Sequence, residues 1–297
     1  MGEVKPLPEF FRERGLTMSK QITEIITEKI INALEHGEVP WKKTWINAPK
    51  NGISKKEYRG INRLLLSMTD FNSPYFLTFR QAGNLGGYVK KGSHGIPVVY
   101  WHLCKVKKNE EEETTEISEK TIPFMRYYIV FNLDQIEGIN KSKFTEHKRD
   151  FEPVETCEQI VKGYKDSPII LHQGFQPCYI PSTDTVEIPI CENFTSEENY
   201  YSTLFHELTH STGHKKRLNR KEVAFTQRFG SCNYAEEELV AEIGASFLCS
   251  YAGIENKTID NSTAYIQNWL KVLNDDRKMV INAASRAEKS MKHIIGN

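Results

Sequence analysis

The stretch TLFHELTHSTGH, residues 203–214, contains three histidines and one glutamate within the nine residues 206–214. His206 and His210 are four residues apart, so in a helix both imidazoles lie on one face about one turn apart. Ser196 precedes the stretch as a predicted N-cap, and acidic residues follow it in the first turn, which favours a helix start there. The spacing therefore predicts a helix that presents two metal-binding imidazoles.

Glu207 directly follows the first of these histidines. Neutral imidazole binds zinc at about 2.0–2.1 Å, and a catalytic zinc lowers the pKa of water toward about 7. A carboxylate at this position can take a proton from the attacking water. The HExxH pattern also arises by chance, and a helix with two surface histidines is the alternative interpretation. The apolar residues Leu204, Phe205 and Leu208 favour the metal site, because they give the helix a buried side.

The third ligand is not fixed by HExxH. The longer pattern HExxHxxGxxH would need histidine at position 216, where lysine stands, and His214 comes two residues early. The acidic helix EEELVAE, 236–242, is the better source, because two histidines and a glutamate leave the fourth position of a catalytic zinc to water. Glu238 is the predicted ligand. Glu242, four residues on, is predicted to hold a ligand histidine, as in the similar ExxAD pattern of glutamate zincins, and Glu237 remains the alternative ligand.

Composition places the chain among globular proteins. It has 297 residues, 39% hydrophobic and 26% charged, which suits two domains. There is no run of 18 apolar residues and no signal-peptide pattern, so we expect a cytoplasmic protein with no membrane partner. The six cysteines form no CxxC pair, which indicates reduced thiols rather than a cysteine-built zinc site.

The net charge of zero hides an asymmetry. Residues 1–108 carry 18 lysines and arginines against 9 aspartates and glutamates, a net of +9, so the remainder carries −9. A basic half joined to an acidic half indicates a module that binds a polyanion, linked to a unit of another kind.

Hydrophobic patterning divides the chain into four segments and predicts an α+β fold. A lead-in covers 1–17, a mixed α/β nucleic-acid-binding domain 18–135, a polar linker 136–152, and a second domain 153–297 with a small sheet and the HExxH helix. Within the second domain, DTVEIPI, 184–190, is predicted to be an edge strand closed by Pro189.

Aromatic residues alternate with basic ones through the first domain. Aromatic faces stack on unpaired bases while lysine and arginine follow the phosphates, so single-stranded nucleic acid is favoured over duplex. The alternative is that these tryptophans and tyrosines are core residues of strands, which is their usual place.

The chain resembles the ArdC-type antirestriction proteins of conjugative plasmids. The N-terminal resemblance is carried by PWKKTW, YRGINRLLL, FLTFRQAGNLGGYVKKGSHGIPVVYW and YYIVFNLDQIEG, which look like the single-stranded-DNA-binding domain shared with TraC-type plasmid primases. The C-terminal resemblance is carried by YYSTLFHELTHSTGHKKRLNR and YAEEELVAEIGASFL, which look like a zincin-like metallopeptidase domain. The residues that this resemblance and the composition predict to contact DNA are Trp41, Lys42, Lys43, Trp45, Tyr58, Arg59, Asn62, Arg63, Phe79, Arg80, Tyr88, Lys90, Lys91 and Trp101.

The resemblance implies a protein that binds incoming single-stranded DNA during conjugation and protects it from restriction. It also implies a zinc metallopeptidase of the gluzincin type that acts on a protein or peptide, with Mn²⁺ or Co²⁺ as possible substitutes for zinc. Two alternatives stay open. One is a DNA-binding protein whose metal site is structural or vestigial, and the other is a repair metalloprotease that removes proteins trapped on DNA.

Overall fold

A computed structural model describes residues 9–41, 48–69, 71–106, 120–144, 153–220, 232–254, 256 and 263–296. Within these ranges the chain forms helices and three small sheets, which confirms the predicted α+β class. None of the described helices is both long enough and apolar enough to cross a bilayer.

The N-terminal unit is built on one mixed sheet. Its elements are α1 (Glu9–Glu35), β1 (Lys50–Asn51), α2 (Ile61–Ser67), β2 (Tyr75–Thr78), α3 (Phe79–Asn84), β3 (Tyr88–Val89), β4 (Ile96–Val106), β5 (Lys120–Asn132) and β6 (Ile136–Glu137). The main sheet has the order β1-β2-β5-β4, and β3 pairs with β6. Strands β4 and β5 form a long antiparallel ribbon from the pair Ile96 and Val130 to the pair Val106 and Lys120.

The C-terminal unit combines a three-stranded sheet with five helices in the described ranges. Its elements are α4 (Pro153–Gly163), β7 (Ile169–His172), β8 (Cys178–Ile180), β9 (Thr185–Ile188), α5 (Glu197–Ser211), α6 (Cys232–Ala252), α7 (Thr263–Asp275) and α8 (Met279–Ile295). Helix α6 is buried along most of its described length and packs against α5 and α8. It therefore forms the centre of this unit.

The sheet order corrects one prediction. The segment 184–190 is not an edge strand, because β9 lies between parallel β7 and antiparallel β8. Pro189 follows the last paired residue, Ile188, so it costs the central strand no hydrogen bond. The edge next to the HExxH helix belongs to β8, which packs against α5.

Two predicted segment limits also differ from the structure. The helix α1 begins at Glu9, so much of the predicted lead-in is helical, because a single Gly15 costs a helix only about 1 kcal/mol. The predicted linker 136–152 begins too early, since β6 pairs with β3 and Phe144 packs edge-on against Tyr75 at 5.4 Å. Residues 145–152 lie outside the described ranges.

The two units share one hydrophobic core. A stripe on α1 (Ile22, Ile26, Ile30 and Leu34) is buried, and α1 packs against both β5 and α7. Trp41 and Trp269 are fully buried and meet edge to face with ring centroids 5.0 Å apart. We conclude that the basic and acidic halves are packed against each other rather than tethered.

Candidate metal centre and nucleic-acid surface

Helix α5 holds the two histidines on its half-buried side. The Ser196 side chain accepts a hydrogen bond from the Asn199 backbone N–H at 3.2 Å, which confirms the predicted N-cap. Leu204, Phe205 and Leu208 are buried against the core, as the sequence pattern requires. The His206 and His210 rings then lie edge to face with their centroids 4.8 Å apart.

Helix α6 brings a carboxylate to the same place. A Cβ atom at Gly244 would lie 2.5 Å from Thr209 Cγ2, so glycine is required for the close approach of α6 to α5. One turn and a half earlier on α6, Glu238 faces both imidazoles. The close contact of these two helices is therefore what assembles the site.

Three donor atoms converge at this point. The Nε2 atoms of His206 and His210 are 3.1 Å apart, and each lies 3.6 Å from an oxygen of Glu238. All three ligand atoms lie within 4.8 Å of one another. Donors about 2.0–2.1 Å from one tetrahedral zinc are separated by roughly 3.3 Å, so the spacing fits one divalent ion. The predicted set His206, His210 and Glu238 is thus brought together, and its role as a ligand set stays a prediction.

The opposite nitrogen of each imidazole faces a different glutamate. His206 Nδ1 lies 3.4 Å from Glu242, and His210 Nδ1 lies 3.2 Å from Glu237. A carboxylate on Nδ1 favours the tautomer whose Nε2 lone pair is available to a metal. Glu242 thus lies beside His206, and its role in holding that histidine stays a prediction. Glu237, the alternative ligand, occupies the matching place on His210.

The electrostatics of the cluster favour a bound cation. Burial lowers the pKa of His206, but Glu242, Glu238 and Glu207 outweigh it and raise the pKa to about 10. Burial raises the pKa of Glu242 to about 7. The carboxylates thus hold protons on the imidazoles, and a divalent cation would have to displace those protons. Metal binding at this site must therefore weaken as the pH falls.

Glu207 and His214 have different surroundings. Glu207 is 8% exposed. The pKa of the Cys178 thiol on β8 is raised mainly by burial, and next by the negative charge of Glu207. His214 lies one turn beyond the cluster, with Nδ1 3.7 Å from Asp184. Arg217 donates to Asp184 and to the Ser211 carbonyl, and so ties this turn to the sheet. His214 therefore stands outside the candidate ligand set.

The predicted DNA contacts fall into three groups. Lys42, Lys43 and Trp45, together with the Trp101 side chain, lie outside the described residues. Exposed positions comprise Arg59, Phe79, Arg80, Tyr88, Lys90 and Lys91, while Tyr58 is half-buried. The third group, Trp41, Asn62 and Arg63, is engaged within the protein.

This third group requires a correction. Trp41 is fully buried and cannot offer its ring to a base. Arg63 is 3% exposed, because its guanidinium is 3.7 Å from Glu288 and 3.4 Å from Glu57. Asn62 donates to and accepts from the backbone of Val99, at 2.7 Å each, and so covers the edge of β4. Trp41 and Arg63 thus contact the C-terminal unit, and Asn62 joins α2 to β4 within the N-terminal unit, so these side chains are already engaged inside the protein.

The β4–β5 ribbon carries exposed residues that the predicted set omits. Tyr100 lies opposite Arg126, and Tyr128 is the diagonal neighbour of Tyr100. The two tyrosines are 55% and 49% exposed, and Arg126 is exposed as well. Even-numbered residues share this face of the ribbon, but Val98 and Val130 on it are buried, so period-two alternation alone does not identify the exposed tyrosines.

Comparison with known proteins gives two family matches and several relatives that align with most of this chain. Residues 20–131 match the N-terminal domain of anti-restriction factor ArdC, and residues 155–286 match a zincin-like metallopeptidase. Two DNA primases TraC of Escherichia coli are 32% and 31% identical over 96% and 94% of this chain. The chain spans only 20% and 27% of those primases. The likeness to TraC therefore extends beyond the N-terminal domain, to which the sequence analysis confined it.

Other relatives match along their whole length. The uncharacterized protein y4eC of Sinorhizobium fredii is 31% identical, with 90% of this chain aligned to 89% of that one. Crystal structures of the antirestriction ArdC protein from the R388 plasmid, one metal-free and one Mn(II)-bound, share 33% identity and a TM-score of 0.73. Each covers 92% of this chain and 96% of the R388 chain. On this evidence the chain belongs to the family of ArdC-type antirestriction proteins.

Proposed function

We propose that this chain is a zinc-dependent peptidase joined to a single-stranded-DNA-binding unit, and that it protects incoming conjugative DNA from restriction in the cytoplasm. The observation that carries the enzymatic part is the convergence of His206, His210 and Glu238 beside Glu207. The Mn(II)-bound relative from R388 supports a divalent ion, and two imidazoles with one carboxylate favour zinc over manganese or cobalt.

The residues of the site have separate tasks in this proposal. His206, His210 and Glu238 would hold the ion, which when bound supplies a water of lowered pKa and polarises a peptide carbonyl. Glu207 would accept the proton of the attacking water on a carboxylate oxygen and pass it to the leaving amine. Strand β8 pairs on one side with β9 and, within the described ranges, with no strand on the other. An extended substrate can therefore add to β8 by main-chain hydrogen bonds.

The DNA-binding part rests on the ribbon surface. Tyr100 and Tyr128 offer exposed rings on one face of β4 and β5, with Arg126 beside them. Phe79 and Arg80 at the start of α3 add a ring that is 67% exposed and a further positive charge. Rings stack on unpaired bases and the guanidinium groups bind phosphates, so we assign this face to a single strand.

Metal removal tests the enzymatic proposal. We expect the purified full chain with Zn²⁺ to cleave an unfolded protein substrate, to lose cleavage after dialysis against a chelator, and to regain it when Zn²⁺ is returned. The reason is that, in this proposal, the ion held by the three donors activates the attacking water, so cleavage stops when the ion is removed. The measurement is the rate of fragment formation, with and without single-stranded DNA.

The alternatives give different results in the same assay. A chain that binds the ion and DNA but never cleaves supports a structural or vestigial metal site. Cleavage confined to proteins cross-linked to DNA, with no protection of transferred DNA in a mating assay, supports the repair protease.

Removal of the two ribbon tyrosines tests the DNA surface. The double variant Tyr100→Ala, Tyr128→Ala should bind an oligonucleotide at least roughly 30-fold more weakly, because each base stacked on an aromatic ring contributes about 1–3 kcal/mol. Arg126→Gln should lower the slope of log affinity against log salt by about one. Fluorescence anisotropy at two salt concentrations measures both.

The control for this pair is Phe175→Ala. Phe175 is 99% exposed but belongs to the C-terminal unit, so its replacement removes an exposed aromatic ring that lies outside the proposed DNA surface. If the tyrosine variant binds as tightly as this control, the strand does not contact the ribbon.

A further inference from the structure

We infer that Arg220 is a positioning residue for the metal centre, which acts through Glu237 to fix the orientation of the His210 imidazole. This inference rests on the proposed metal site but not on peptidase activity. Arg220 lies ten residues beyond His210 and outside the HExxH and EEELVAE motifs.

Arg220 and Glu237 form a bidentate pair. The Arg220 Nε atom donates to Glu237 Oε2 at 2.9 Å, and Nη2 donates to Oε1 at 2.6 Å. Both side chains are buried, with exposed fractions of 6% and 7%. The planar guanidinium matches the plane of the carboxylate, so this pairing fixes the direction of Glu237 as well as its charge.

The guanidinium is itself held by neighbouring helices. Arg220 Nη1 donates to the Thr212 hydroxyl at 2.6 Å and to the Ser290 hydroxyl on α8 at 3.0 Å. Arg220 Nη2 also donates to the Thr209 carbonyl of α5 at 2.9 Å. A sixth hydrogen bond, from Nη2 to the His210 carbonyl, is longer at 3.5 Å. The guanidinium therefore cannot rotate without breaking buried hydrogen bonds, each of which is costly to lose.

Glu237 transmits this position to His210. Its Oε1 atom lies 3.2 Å from His210 Nδ1 and accepts a hydrogen bond from that nitrogen. The Nε2 atom of His210 then faces His206 Nε2 and Glu238. A carboxylate committed to Arg220 and Nδ1 is also withheld from the metal, which separates Glu237 from the ligand Glu238.

His206 lacks an equivalent of Arg220 in the described structure. Its partner Glu242 lies 3.4 Å from Nδ1, and Glu242 Oε2 has no hydrogen-bond partner within the described residues. The two imidazoles are thus oriented by different means. The imidazole of His210 is the more rigidly held, because its partner Glu237 is itself fixed by Arg220.

The test uses the full chain and titration with Co²⁺ alone. Arg220→Lys keeps the charge but cannot form the fork, and Glu237→Gln keeps the shape but turns an amide donor toward Arg220. We expect each variant to bind Co²⁺ about 10- to 100-fold more weakly and to change its visible absorption spectrum, which reports ligand geometry. Arg286→Gln is the matched control, because Arg286 pairs with Glu236 at 2.9 Å and so joins α8 to α6 through a different acid from Glu237.

Far-UV circular dichroism establishes whether each variant folds. If Arg220→Lys does not fold, the Co²⁺ affinity and spectrum of Glu237→Gln carry the test. Wild-type affinity and spectrum in the folded variants overturn the inference. The inference is also overturned if Arg286→Gln weakens Co²⁺ binding equally, since that would reflect helix packing alone. It is overturned as well if the wild-type chain binds no Co²⁺. Absence of peptide cleavage by the wild type would refute the proposed peptidase and leave this inference standing.

Discussion

Replacement of Glu207 by glutamine is expected to lower kcat for peptide cleavage by about 10²- to 10⁴-fold while the metal affinity stays within about twofold of wild type. The factor is that of a positioned general base. Glutamine has nearly the shape of glutamate, so the buried side of α5 is undisturbed. The donors to the metal remain His206, His210 and Glu238, whose separations do not involve Glu207. Initial rates on a peptide and a Zn²⁺ competition titration measure the two effects.

The control for this variant is Glu197→Gln. Glu197 is an exposed acid in the first turn of the same helix, ten residues and about 15 Å before Glu207. The substitution Glu197→Gln therefore removes the same charge from α5 at a distance from the candidate metal site. An unchanged kcat in Glu207→Gln would mean that another group takes the proton. Lost cleavage with intact protection of transferred DNA would mean that antirestriction needs only binding.

Trp269→Ala is expected to lower the free energy of unfolding by about 3–5 kcal/mol and to destabilise both units together. Trp269 is 1% exposed and its ring meets that of Trp41, so truncation leaves a cavity between the halves. Urea unfolding followed by far-UV circular dichroism should show one transition, which coincides with the loss of DNA binding and of Co²⁺ binding.

Phe175→Ala again serves as the control, because a side chain that is 99% exposed should change stability by no more than about 0.5 kcal/mol. Two separate transitions in Trp269→Ala, with only one function lost in each, would contradict the shared core.

The metal centre was accessible from sequence because its geometry is local. Residues four apart on a helix share a face, so His206 with His210, and Glu238 with Glu242, could be placed before any fold was known. What spacing could not decide was which of two adjacent acids faces the imidazole Nε2 atoms. That choice depends on Arg220, which binds Glu237 across seventeen residues of sequence.

The DNA surface was harder to predict because composition does not reveal burial. Trp41 and Phe79 are both aromatic residues beside positive charge, yet one is fully buried and the other 67% exposed. Their difference arises from contacts with distant parts of the chain: Trp269 covers Trp41, and Glu288 neutralises Arg63. The exposure of Tyr100 and Tyr128 was equally hidden from the sequence, because Val98, which pairs with Tyr128 on the same face, is buried.

The continuous core also bears on how this pair of units is inherited. A recombination event that separated them would expose Trp41, Trp269 and the apolar stripe of α1 to water, so neither fragment would be soluble alone. The two E. coli primases align with 96% and 94% of this chain rather than with one half of it. Both primases thus match the two units together, as a shared core favours.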